Sequence, residues 1–262
     1  MTKERRTMQS KTEDSLKYLS KKAFFDKVLT IYGRNAVIEA LQDEQIIIHK
    51  LHLSNSNKRA TILDMMMSIA ERREIEIVYH DKKSLSRISK NAKQDQGVAL
   101  DIVLEHFGDE EGFMADRHIY RILALDGITN PQNLGMIIRS AAAGEIDAIL
   151  LPTKGAAQIS PLVIKASAGT LFRMPIIKSS NLQKTLQNFQ STGAKLYTLS
   201  SHAKKNYREQ SYTGKTIFIL GNESQGVSSE VEKLSDEQIS IPMNRSVESL
   251  NVAVTASLLA FM

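Results

Sequence analysis

The chain has 262 residues, 42% of them apolar, and its 34 Lys and Arg outnumber 29 Asp and Glu for a formal net charge of +5. That length permits one large domain or two modest ones around proper cores. With no cysteine, disulfides and thiolate metal sites are excluded; six scattered histidines contain no His-x-x-x-His pair, and no apolar run reaches the ~20 residues of a membrane span. A soluble chain without metal or membrane contact is expected.

Residues 1–30 carry eight Lys or Arg against Glu4, Glu13, Asp14 and Asp26, so nearly all of the net charge sits there, without the apolar core of a secretory signal. A basic arm that touches RNA phosphates has this composition; so does a disordered tail or an organelle transit segment. From Ile31 the pattern alternates. Arg34 to Leu41 reads as helix and Ile46 to Leu53 as strand. Arg59 to Arg73 reads as helix with Ile62, Met66 and Ile69 on one face, and Ile75 to Tyr79 as strand. Lys82 to Ser89 is helical and Gly97 to Leu104 extended, so residues 31–105 form a small α/β unit. The stretch 106–118, with Gly108, Gly112 and four acids, breaks every period and reads as a linker.

Residues 119–262 form the second domain. Its strands are short apolar runs bounded by turn residues: Ile119 to Leu125, Ala148 to Leu151, Arg173 to Ile177, Lys195 to Leu199, Thr216 to Leu220 and Gln238 to Ile241. Strands without polar alternation, separated by helices, predict an α/β fold with a parallel sheet covered by helices. Ser160-Pro161 marks a helix start and Gly169 a stop. Ligands in such sheets bind beyond the carboxyl ends of strands, which directs attention to the polar loops after Leu125, Leu199, Leu220 and Ile241.

Three segments there carry candidate chemistry. The helix from Asn133 to Gly144 has one charged residue, Arg139, among Leu134, Met136, Ile137, Ile138 and three alanines. Stripping an arginine of hydration costs several kcal/mol, so it needs an anion: Glu223 or Glu248, water reached by snorkelling, or a phosphate in a cleft. Asn130 and Asn133 bracket the turn into this helix, where capping is the plain reading. Gly221-Asn-Glu-Ser-Gln-Gly226 follows a buried strand; it lacks the Lys-Ser/Thr of a P-loop and the spacing of a dinucleotide loop, and an ordinary left-handed turn accounts for it equally. Leu250 to Met262 has no charge, so it must be buried in the core or against a second subunit. Ser249 reads as its N-cap, and Asn251 places an amide there that needs partners.

Taken together, Asp126-Gly-Ile-Thr-Asn-Pro-Gln-Asn-Leu-Gly-x-x-x-Arg139, Ile219-Leu-Gly-Asn-Glu-Ser-Gln-Gly226 and Ile241-Pro-Met-x-x-x-Val-Glu-Ser-Leu-Asn-Val-Ala-Val254 resemble the three motifs of the SpoU/TrmH RNA ribose methyltransferases of the SPOUT superfamily. The likeness covers about Ile119 to the end. Ile31-Tyr-Gly-Arg-Asn-Ala-Val-Ile-Glu-Ala-Leu41 and Gln96-Gly-Val-Ala99 further resemble the amino-terminal RNA-binding domain of the subgroup that methylates a guanosine ribose in 23S-type ribosomal RNA.

The resemblance implies a carboxyl-terminal deep trefoil knot, which ordinary topology rules would not have suggested. It implies a homodimer through the knot helices and S-adenosylmethionine as donor, with S-adenosylhomocysteine as product and no metal. Carried onto this chain, the cofactor loops are at Thr198 and Leu199, at Gly221, and from Ile241 to Leu250. Arg139 becomes the catalytic residue, as base or as electrostatic stabiliser, pointing into the hollow that receives the methyl where two protomers meet. Asn133 and Ser249 order the site around it, Glu223 holds the cofactor or substrate loop, and Asn251 fixes the last motif. The implied activity is 2′-O-methylation of a guanosine in large-subunit ribosomal RNA, in the cytoplasm, or in mitochondria for a eukaryotic source. A tRNA guanosine-18 type enzyme, an antibiotic-resistance rRNA methyltransferase and a noncatalytic RNA-binding or assembly factor are the rival readings.

Overall fold

A computed structural model describes residues 24, 25, 27–91, 93–104, 107, 108 and 110–262 of the chain. Most of the basic arm expected over residues 1–30 lies outside these. The chain divides into two compact units, one ending at residue 105 and the other beginning at 106.

The first unit is a four-stranded sheet in the order β1-β4-β2-β3, built from β1 (Val28–Tyr32), β2 (Ile47–Ser54), β3 (Glu76–His80) and β4 (Val98–Val103). β2 runs parallel to β3, and β4 is antiparallel to both β1 and β2. β1 begins three residues before the predicted start of this unit. Alternation divides the sheet into two faces. Ile31, Leu51, Leu53, Leu100 and Ile102 are buried on one, while Thr30, Lys50, His52, His80 and Asp101 occupy the other. Helices α1 (Arg34–Gln42), α2 (Thr61–Arg72) and α3 (Lys82–Ser89) complete the unit. The inward face of α2 is Leu63, Met66 and Ala70, one position round from the predicted stripe, with Ile62 and Ile69 half-buried at its flanks.

The second unit is an eight-stranded sheet, order β10-β12-β9-β11-β6-β7-β8-β5, parallel at every pairing. Its central strands are β6 (Tyr120–Leu125), β7 (Ala148–Pro152), β8 (Ile176–Ser179), β9 (Lys195–Leu199), β11 (Lys215–Leu220) and β12 (Glu237–Ser240). Two-residue strands β5 (Phe107–Gly108) and β10 (Lys205–Asn206) close the edges. β8 starts later than predicted because Thr170–Phe172 forms a 3-10 turn after Gly169, whose φ of 77° is left-handed.

The stretch expected as a linker holds structure. After β5 comes α4 (Glu110–Asp116), whose Phe113 meets the Tyr120 ring edge-on at 5.4 Å and packs, with Met114, on the core formed by Ile122, Leu186, Phe189 and Ile217. Two apolar residues among four acids carry no readable period, so only packing fixes this helix. The other helices are α5 (Pro131–Ala143), α6 (Pro161–Ala166), α7 (Leu182–Ser191), α8 (Ser229–Glu232) and α9 (Val252–Ala260). α5 packs against both α6 and α9. Glycine is required at those crossings: a Cβ on Gly135 would strike the Ala166 side chain, and one on Gly144 would strike Ala260.

Candidate active site

Beyond the carboxyl ends of β9, β11 and β12 lies a cavity of about 960 Å³, walled by residues 198–202, 220–227, 240–243 and 247–250 with Glu232, Val252 and Thr255. This is the position expected of a ligand site in an open parallel sheet. Thr198, Leu199, Gly221, Ile241 and Leu250, the five residues assigned to the cofactor, all line it, as do Glu223 and Ser249.

Each wall is held by local chemistry. In the glycine loop, Asn222 and Gly226 exchange backbone hydrogen bonds of 2.9 and 2.8 Å, and the Asn222 Oδ1 accepts from the Ser224 and Gln225 amides. Gly221 is needed because a Cβ there would collide with the backbone of Gly226 and Val227; Gly226 is needed for its φ of 72°. The loop after β6 does not line the cavity but clamps the glycine loop from outside: Asn222 Nδ2 donates to the Gly127 carbonyl at 2.9 Å, and the Ser228 amide donates to Asp126 Oδ2 at 2.7 Å. Beside β9, burial and the neighbouring Tyr197 push the Tyr212 hydroxyl pKa up to about 12, so it stays protonated and donates to the Tyr207 carbonyl at 2.7 Å.

The polar centre is Glu223. Its Oε1 accepts from Asn133 Nδ2 at 2.9 Å, from Asn251 Nδ2 at 2.8 Å and from the Val252 amide at 3.4 Å, while Asn251 also donates to Asn133 Oδ1 at 3.1 Å. Three segments far apart in sequence are thereby closed into a triangle. Asn133 does not cap α5; Asn130 does, accepting from the Gln132 amide at 2.8 Å, and the buried Asn133 side chain is free to reach Glu223. The N-cap of α9 is Asn251, which accepts from the Ala253 amide at 2.9 Å, and not Ser249, which is exposed on the cavity wall.

Arg139 departs from expectation. It is exposed, does not line this cavity, and makes no hydrogen bond or ion pair to another described residue of its own chain. The cause is helix phase. Leu134, Ile137, Ile138 and Ala141 turn inward, so Gln132, Met136, Arg139 and Ala143 face outward. That apolar arc was a signal available in the sequence. Neither Glu223, committed to two amides, nor Glu248 is its partner.

Sequence reasoning also missed Asp126 and Asn222 as clamps, and the Thr198 hydroxyl. The latter is buried in the cavity wall with no hydrogen-bond partner among the described residues, and such orphans are uncommon unless a ligand or water completes them. Apolar Leu199, Ile241 and Leu250 alternating with Ser200, Asn222 and Ser249 give a donor set suited to a flat base joined to a polar sugar. Among the described residues no cluster of His, Asp and Glu could hold a metal.

Residues 120–261 match the model of the SpoU rRNA methylase family. The chain belongs to that family. The amino-terminal unit of this SpoU-family chain, residues 30–106, matches a second model described as RNA 2′-O ribose methyltransferase substrate binding. A Staphylococcus epidermidis protein named for the TrmH family of tRNA/rRNA methyltransferases is 30% identical over 237 residues, 89% of this chain and 94% of that one. A TrmH-family structure from Porphyromonas gingivalis aligns with a TM-score of 0.64 at 26% identity, over 90% of this chain and 88% of that one. The SpoU methyltransferase AviRb from Streptomyces viridochromogenes, solved with AdoMet, has the same fold at a TM-score of 0.66 and 20% identity, with the same coverage of both chains.

Proposed function

We propose that this SpoU/TrmH-family methyltransferase uses S-adenosylmethionine to methylate the ribose 2′-hydroxyl of a guanosine in large-subunit ribosomal RNA. The observation that carries the reading is the Glu223 triangle, which joins the three family motifs at the lip of a cavity fitted to a nucleoside. S-adenosylmethionine is the methyl donor, and bound there it supplies an electrophilic methyl group on a sulfonium. Thr198, Leu199, Gly221, Ile241 and Leu250 would hold it, chiefly through backbone and apolar contact.

The chain's remaining task is to place a ribose oxygen and lower the cost of removing its proton. Arg139 offers hydrogen-bond donors and no acceptor, which makes it a poor base. Its role here is to grip an RNA phosphate with its planar fork and to stabilise the alkoxide as it forms. Glu223, Asn133 and Asn251 are positioning residues that hold α5 and the α9 terminus to the glycine loop, and Ser249 lies on the cavity wall.

Because Arg139 faces outward, the reading places it in a cleft completed by a second copy of the chain. Met136 on α5, Leu162 on α6 and Val254 and Phe261 on or beside α9 are exposed apolar side chains that such a contact would cover. The return of the chain from β12 to α9, packed on α5, is consistent with the trefoil knot of the family.

Labelled S-adenosylmethionine and deproteinised ribosomal RNA test the proposal. Label is expected on one ribose of the large-subunit RNA. Label in tRNA instead transfers the assignment to the tRNA enzymes, and label in neither overturns the catalytic reading in favour of an RNA-binding factor.

A further inference from the structure

The amino-terminal unit is electrically polar along its strands. At the end where β1, β2 and β3 finish and β4 begins, Lys58, Arg59, Lys82, Lys83, Lys90 and Lys93 are all exposed. Of the three carboxylates at that end, Asp64 is exposed in the first turn of α2, and the other two are spent internally. Asp81 caps α3, accepting from the Ser84 amide and hydroxyl at 2.9 Å each. Asp95 is buried and accepts from Ser89 Oγ and the Gly97 amide at 3.0 Å each. The opposite end carries Asp43, Glu44, Glu71 and Glu74, against Lys27 and Arg72 and an Arg73 already donating to the carbonyls of Leu41, Asp43 and Ile46.

A chain of titratable groups crosses the polar face of the sheet to this basic end. Thr30 Oγ1 donates to Asp101 Oδ1 at 2.6 Å, Asp101 Oδ2 meets His52 Nε2 at 3.0 Å, and His52 Nδ1 meets His80 Nε2 at 2.9 Å. His52 is buried; His80 is partly exposed at the end of β3. The carboxylate needs a proton on His52 Nε2, which leaves His52 Nδ1 to accept from His80 Nε2. His80 Nδ1 is then the position where a proton can be added without breaking any bond in the row.

We propose that the basic end of the amino-terminal unit is where the RNA backbone docks, with His80 among its phosphate contacts. The inference rests on the RNA-methyltransferase reading and locates that reading's substrate on one surface. Phosphate contacts of this kind are electrostatic and salt-dependent. Burial and the adjacent His52 lower the His80 pKa, with Lys50 acting in the same direction and Asp81 opposing. Unbound His80 is therefore neutral at pH 7, and a phosphate set against Nδ1 favours its protonation, with Asp101 compensating through His52. Affinity for RNA then rises as pH falls toward 6.

The test measures binding of the full chain to deproteinised large-subunit ribosomal RNA across 50 to 200 mM salt, with S-adenosylhomocysteine calorimetry reporting on the second unit and thermal melts on folding. Lys58→Glu/Arg59→Glu/Lys82→Glu/Lys83→Glu is expected to weaken RNA binding at least ~10-fold and to flatten the salt dependence by about 0.7 per lost contact. Glu44→Lys/Glu74→Lys at the other end should stay within about twofold of wild type. His80→Gln should lack the gain in affinity that wild type shows between pH 7.5 and pH 6. RNA binding by the four-charge variant equal to wild type overturns the docking surface, and an equal acid gain in His80→Gln overturns the role of His80. A wild-type chain that holds S-adenosylhomocysteine but binds no RNA sinks the parent reading as well, a result distinguishable from either.

Discussion

Asn251 Nδ2 lies 2.8 Å from Glu223 Oε1, and the same oxygen receives the Asn133 amide at 2.9 Å, so one carboxylate oxygen fastens α9 and α5 to the glycine loop. Glu223→Ala leaves both amides without that acceptor. Asn251 is exposed and can turn to water, but Asn133 is buried, and a buried group left unsatisfied costs about 1–3 kcal/mol, so thermal melts should show that loss. Glu223→Gln keeps an acceptor oxygen and should lose less. Equal melting of both variants and wild type would mean that the triangle contributes nothing.

Arg139→Ala should separate activity from stability. The side chain is exposed, so unfolding free energy should stay within about 0.5 kcal/mol of wild type. Methyl transfer should fall ~100-fold or more, the scale for removing a group that stabilises developing charge. Arg139→Lys keeps the charge but loses the two-pronged contact, and should also be impaired. Turnover near wild type in Arg139→Lys, with cofactor binding intact, would remove Arg139 from the mechanism.

Gly221→Ala should disturb the cavity wall directly, because the new Cβ has only backbone to push against. A loss of about 1–3 kcal/mol is expected, with weakened S-adenosylhomocysteine binding by calorimetry. Unchanged affinity would show that the loop can shift at no cost to the site.

Arg245 and Ser246 present the reverse case. Both are left-handed, with φ of 56° and 55°, in the turn between Met243 and Val247 on the cavity rim. A side chain in that conformation costs about 1–2 kcal/mol, partly offset by the entropy glycine loses on folding. Arg245→Gly should therefore raise stability by up to about 1 kcal/mol. A lower melting temperature would show that the Arg245 side chain itself holds the turn.

The Asp101–His52–His80 row should make the amino-terminal unit acid-sensitive in two steps. His80 has a folded pKa below its unfolded value near 6.5, so its contribution is present above about 6.5 and is lost as pH falls through the lowered value. Burial pushes the Asp101 carboxyl up, but hydrogen bonds from His52 and Thr30 outweigh it and hold the group low. Its contribution is present above about 3.9 and disappears as pH falls through the folded value. Melts from pH 7.5 to 3 should show a flatter upper limb in His80→Gln and a flatter lower limb in Asp101→Asn; superimposable profiles would dismiss the row as a pH-sensitive element.

The strands of the second unit were legible because each is a local run, Tyr120–Leu125 and Lys215–Leu220 above all, and a buried parallel strand needs nothing else to declare itself. The α4 helix was not, since Phe113 and Met114 acquire meaning only against Tyr120 and Phe189. Asn133 looked like a cap because caps are local, while its true partner is 90 positions away.

The sequence by itself determined which chemical groups this chain possesses and the order of most of its longer strands and helices, because residue type and short-range periodicity act within a few positions. Only the tertiary structure decided that Glu223 gathers Asn133 and Asn251, that Thr198 buries an unpaired hydroxyl in the cavity wall, and that Arg139 faces away from its own cavity. Those outcomes depend on helix phase and on hydrogen bonds between distant segments, which packing selects and no local pattern encodes.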